Sequence, residues 1–296
     1  MAHSISETGM HVPPGRISPK SALTAGFTLI EMSIVLVIIG LIVGGILVGQ
    51  NLIQAATIRA QVTQIEKYQT AVETFRGKYG ALPGDISATQ VAQFGFTVWP
   101  VRPGTFGAGD GNGLIECAFW APGIQDLEWA EAIWFWEDLS SNSGLIEGGF
   151  NNQTQWDEGT TTVSATELNQ YFPQAKIGNG NYVFVFSLNG TNYFSIAALA
   201  GLDVASQIEI TGYNFGLTPA QAYAIDSKID DGLAQTGNVQ AFTAQTGSNT
   251  NIATWGGHDH SPGIVGSGDC FFSDTNQYAT LIEVAGATCP LSIRFQ

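Results

Sequence analysis

Residues 27–49 read FTLIEMSIVLVIIGLIVGGILVG. As a helix rising about 1.5 Å per residue, this run covers the ~30 Å hydrocarbon thickness of a bilayer. A cleaved secretory signal, an ordinary signal anchor and a buried core helix all share such a run. A secretory h-region is normally ~7 to 15 residues and ends at a small-residue cleavage site, whereas this run is longer and passes directly into a helical pattern. The exception within it is Glu31, a carboxylate among apolar side chains. At the centre of a span it would cost ~2.5 to 3.5 kcal/mol, less near an end, so it calls for a partner.

The pattern continues past the run. Ile58, Val62, Ile65, Val72, Phe75 and Tyr79 recur at helical spacing, with Arg59, Gln61, Glu66, Lys67 and Glu73 between them. One helix is therefore expected from Ala25 to about Tyr79, apolar all round at first and amphipathic later, with Gly80 and Pro83 ending it.

The segment Gly26-Phe27-Thr28-Leu29-Ile30-Glu31 closely resembles the processing site of type IV prepilins and type II secretion pseudopilins. The resemblance implies cleavage between Gly26 and Phe27 by a membrane prepilin peptidase, followed by N-methylation of Phe27. Glu31 becomes the fifth mature residue, and the new amine supplies its charge partner, on a neighbouring subunit during filament assembly. The implied layout is a cytoplasmic leader over 1–26, a transmembrane and filament-core helix over 27–50, its amphipathic half over 51–80, and a globular head over 81–296. Arg16 and Lys20 precede the span, but Arg59 and Lys67 follow it, so charge bias is nearly neutral and orientation rests on the resemblance. Many pilins carry a proline within the helix where this chain has Gly44, Gly45, Val48 and Gly49. Partners implied are copies of itself and related pilins, the prepilin peptidase and methylase, and an inner-membrane assembly platform. The implied location is the bacterial inner membrane, then an extracellular or periplasmic filament at the cell surface.

With 296 residues, 44% hydrophobic and only 12% charged, the chain has enough apolar material for one sizeable head. A net charge of −15 disfavours nucleic acid binding through a basic face and suits hard cations. Of three cysteines, Cys270 and Cys289 suit a disulfide loop in an oxidising compartment, leaving Cys117; other pairings, or three buried thiols, remain open.

Beyond Tyr79 the expected fold class is α+β, with an antiparallel sheet packed on the amphipathic half of the helix. A helix is expected from about Asp126 to Leu139, closed by Gly144. Asn189-Gly190 joins two β-rich runs within 181–198 as a hairpin. Thr218-Pro219-Ala220-Gln221 has capping-box spacing and opens a helix to about Ile229, ending at Gly232. Strands are expected at Cys270 to Phe272, Tyr278 to Val284 and Leu291 to Phe295, and a long loop over 235–262.

Asp110, Asn112 and Glu116 place oxygen side chains along a glycine-rich loop, and Asp85 is a further candidate. Calcium takes about six to eight oxygen ligands, which such a loop can begin to supply; the competing reading is Asp-Gly and Asn-Gly as turn formers. Asp226, Asp230 and Asp231 offer a second acidic group. His258-Asp259-His260 is a weak transition-metal pattern better read as a polar loop. Trp129, Trp134 and Trp136 sit at helical spacing and read as core before sugar platform. No nucleophile elbow, phosphate loop or Cys/His pair points to catalysis. The resemblance therefore implies a structural filament subunit, and the motifs give no support for an enzyme, with a secretion pseudopilin or an adhesin head on the same anchor as alternatives.

Overall fold

A computed structural model describes residues 26, 28–97, 109–115, 131–151, 162–164, 167–188, 190–203, 207–210, 216–241, 270–272, 274–280 and 289–296. The chain divides into two compact units between Asn51 and Leu52. Helix α1, Leu29–Tyr79, begins in the first and ends in the second. It starts later than the apolar pattern suggests, because the Thr28 hydroxyl accepts from the Glu31 amide at 3.3 Å and so caps the first turn. From Leu29 to Ile53 its large apolar side chains are all exposed, and this part is long and apolar enough to cross a membrane.

In the second unit α1 buries Ile58, Ile65, Val72, Phe75 and Tyr79, each aliphatic or aromatic side chain contributing about 1.5–3 kcal/mol. Gln61 does not share the polar face with Arg59 and Glu66. It is buried, and its Oε1 accepts from the Ile177 amide at 3.0 Å. Gln64 joins it: its Oε1 accepts from the Lys176 amide at 3.0 Å and its Nε2 donates to the Gln174 carbonyl at 2.9 Å. Two amide side chains thus supply the main-chain partners that an apolar stripe would leave missing.

The hairpin at 181–198 forms as expected. Strand β2, Asn181–Leu188, pairs antiparallel with β3, Thr191–Asp203, in a register that sets Leu188 opposite Thr191. That register admits only a two-residue turn, and Gly190 supplies a φ of 75° there. β3 is the scaffold strand: its first part also pairs with β8, Leu291–Arg294, and its last part with β1, Thr162–Ser164, and β4, Gln207–Ile210. Strand β5, Val239–Ala241, pairs with β8, so the start of the expected loop over 235–262 is sheet. It ends the strand order among the described residues, and Val239 and Ala241 turn one face into the core while Gln240 between them is half-buried. β6, Phe271–Phe272, and β7, Gln277–Tyr278, form a separate two-stranded ribbon. Residues 281–284 of the expected strand lie outside the described residues.

Helix α2, Ala88–Phe94, was not expected; Ser87 and Gln90 form a capping box and Gly95 closes it in the left-handed region. Helix α3, Glu131–Glu137, continues into a wider turn over Asp138–Asn142, and the expected start at Asp126 lies outside the described residues. Trp134 and Trp136 are fully buried, as the core reading requires, while Trp129 lies outside the described residues. Helix α4 covers Pro219–Ile229 behind the Thr218–Gln221 capping box. The structure is α+β, with the amphipathic half of a long helix packed on a sheet head.

Candidate functional site

The first turn of α1 carries the residues singled out for processing and assembly. Gly26 is exposed, Phe27 lies outside the described residues, and Glu31 projects from a helix whose neighbouring side chains are apolar and exposed. Its Oε2 accepts from both the amide and the hydroxyl of Thr28, each at 2.7 Å. Sequence reading left Glu31 in need of a partner from another chain. Within one chain the capping box supplies a neutral one.

In the second unit Asp85 sits at the turn after α1 and meets the 109–115 loop. One of its oxygens accepts from the amides of Gly111 and Asn112, at 2.7 and 3.1 Å, and the other from Gly113 at 2.7 Å. Burial pushes the Asp85 carboxyl above its ordinary range, and the charge of Asp110 adds to this against the pull of those amides. Glu131, which the sequence reading overlooked, accepts from the Gly109 amide at 2.8 Å. Its signal was available only as an acid inside the aromatic run of α3. Oxygens of Asp85, Asp110 and Glu131 lie within 4.8 Å of one another, so the group can offer three carboxylate ligands to a cation. An ion there would draw the rest of about six to eight ligands from carbonyls and water. The Asn112 oxygen is taken by the Leu114 amide at 2.7 Å while its Nδ2 donates to Asp110 at 3.1 Å, and Glu116 lies outside the described residues.

Gly84 and Gly109 make this junction possible. At each, φ is positive and a Cβ would collide with a backbone carbonyl, that of Glu131 and of Ile86 respectively. The Gly84 amide donates to Asp138 at 2.8 Å. Asn192 on β3 then accepts from Ile115 and donates to the Gly113 carbonyl, both at 2.8 Å.

The second acidic group, Asp226, Asp230 and Asp231, also has oxygens within 4.8 Å of one another. Asp226 is buried, accepts from the Tyr278 hydroxyl at 2.8 Å and from the Gly232 amide at 3.2 Å, and its pKa rises from 3.8 to about 6 through burial and then the neighbouring Asp231 and Asp230. Burial and the Asp226 carboxylate push the Tyr278 phenol far up. Asp230 accepts from the amides of Asn238 and Val239, and Asp231 from the Leu233 amide at 2.8 Å. Beside this group Cys270 and Cys289 form a disulfide, which resolves the pairing left open by the sequence. Cys117 and His258 to His260 lie outside the described residues.

Compared with protein-family models, with curated proteins and with solved structures, the chain matches none.

Proposed function

We propose that this chain is a structural subunit, a major or minor pilin, of a type IV pilus-like filament. The observation that carries the reading is a single acid, Glu31, in the first turn of an apolar helix whose side chains have no cover among the described residues. Exposed apolar area of this extent is stable only in lipid or against other apolar helices. A prepilin held in the inner membrane satisfies the first condition and a filament core the second. Removal of residues 1–26 between Gly26 and Phe27 creates an ammonium group, and Glu31 of an adjacent subunit exchanges its Thr28 partner for that charge, fixing register. The acidic head then faces the medium.

Mass spectrometry of the exported chain tests this: the mature protein should begin at an N-methylated Phe27. A mature chain beginning elsewhere would overturn the reading. Replacing Gly26 by a bulky residue should leave the leader attached.

A further inference from the structure

The second unit carries a groove of about 680 Å³ between α1 and the segment that runs into β2. Its floor is apolar and buried, from Tyr68, Phe150 and Phe172, and its rim carries Arg59, Lys67 and Lys176, all exposed. Three of the chain's ten cationic side chains therefore surround one groove in a protein of net charge −15. Lys67 meets the exposed Glu147 at 3.6 Å, and this is the only ion pair among the described residues, so Arg59 and Lys176 have no acidic partner among them.

A surface of opposite character lies at the other edge of the sheet. Beyond α1, the exposed large apolar side chains among the described residues are Phe94, Tyr223 and Leu233. Two of these three adjoin the Asp226–Asp231 turn: Leu233 follows Gly232, where a Cβ would lie 3.3 Å from the Tyr223 ring. Asp231 is exposed beside them. The knob thus presents two apolar groups beside Asp230 and Asp231, with Lys228 as its one base, and the groove an apolar floor with three bases against one acid, Glu147.

Four of the described strands run β2–β3–β8–β5. The groove adjoins β2, where the Val183 amide donates outward to Pro173 at 2.9 Å. The knob adjoins β5, where the Ala241 amide donates outward to Ala234 at 2.7 Å. Three strand spacings, about 14 Å, separate these edges, so the two patches of one chain belong to different sides of its sheet. Two different patches that complement each other make a head-to-tail contact, which repeats without closing as a two-fold pair does. Charge complementarity would steer the approach and set the register.

We propose that the groove bounded by Arg59, Lys67 and Lys176 receives the Tyr223–Leu233 acidic knob of a second copy of this chain. The proposal deepens the filament reading and rests on it for its biological setting, yet the contact itself can be tested apart from it.

The test uses the full chain in a Cys117→Ser background, carrying Lys176→Cys, Asp231→Cys or both, treated with a short bis-maleimide in producing cells and after purification in detergent micelles. The double variant should give a ladder of multimers, and a mixture of the two single variants should stop at a dimer. Ser227→Cys, exposed on the same knob, serves as a second donor in case Asp231→Cys disturbs its turn. Adding Arg59→Glu should abolish the ladder. A ladder in micelles without filaments in cells supports the contact while sinking the filament reading. Filaments visible by microscopy with no cross-link from either knob cysteine overturn the contact alone. Dimers from Lys176→Cys by itself overturn it also, because they indicate a two-fold contact.

Discussion

Thr28 and Glu31 close a capping box at the first turn of α1, with the Thr28 amide and hydroxyl both donating to one Glu31 oxygen at 2.7 Å. The acid therefore has two separable roles, a local one in starting the helix and the proposed one between subunits. Thr28→Val removes the hydroxyl's part of the local role, leaving the backbone amide to donate, and should cost about 1 kcal/mol of helix stability while filaments still form. Glu31→Ala should leave membrane insertion intact and abolish or slow incorporation into filaments. Cell fractionation and filament yield separate the two; equal loss from both variants would reduce Glu31 to a cap.

The Asp85 junction gives a stability prediction. Asp85→Asn keeps the size but turns an NH₂ toward a backbone amide, which loses its acceptor, and should cost about 2–3 kcal/mol in thermal unfolding. Gly109→Ala should be at least as damaging, because the backbone carbonyl of Ile86 occupies the space a methyl needs. An unchanged melting temperature in Gly109→Ala would contradict the packing described for this loop.

Asp226 predicts a pH dependence of definite sign. Its folded pKa is about 6 against an ordinary 3.8, so the folded chain binds this proton more tightly than the unfolded one. The stabilisation is complete below about pH 4 and is lost as pH rises through 6. Each pKa unit corresponds to about 1.4 kcal/mol, and screening by solvent near the turn reduces the total to about 1 kcal/mol. Denaturant unfolding at pH 4.5 and 7.5 should show this decline, and Asp226→Asn should flatten its share while Asp85, shifted in the same direction, retains its own.

The Cys270–Cys289 bond spans 19 positions and ties the β6–β7 ribbon to the segment before β8. Constraint of the unfolded chain by a loop of this length is worth about 3 kcal/mol. The double Cys270→Ser, Cys289→Ser variant should lose that amount in chemical denaturation. In that variant hydrogen exchange should rise first at position 289, whose amide donates to the Leu217 carbonyl at 2.8 Å just before α4 when Cys289 is present.

Much of the fold was legible because it depends on local periodicity. The buried spacing of Ile58, Ile65, Val72 and Phe75 marked the packed face of α1, Asn189-Gly190 marked the hairpin, and Thr218 with Gln221 fixed both the cap and the start of α4. What escaped depends on distant partners. Gln61 reads as polar surface until the Ile177 amide, 116 positions away, is brought to it. Glu131 goes unremarked because its partner, the Gly109 amide, lies 22 positions away. Asp85 and Asp110 were candidates for one site, and the fold does bring them together, but only Asp85's three amide partners reveal how much of its bonding capacity the chain itself uses.

The Asp85 junction also sets an order of events during synthesis. Gly84 is held by Asp138, 54 positions later, and the loop that grips Asp85 is held in turn by Asn192, 79 positions beyond Gly113. Closing such long loops carries an entropic cost that local contacts do not repay. A nascent chain that has not yet delivered β3 can form helix α1 but lacks the pieces that lock its end, so that corner of the head is among the last places to become native.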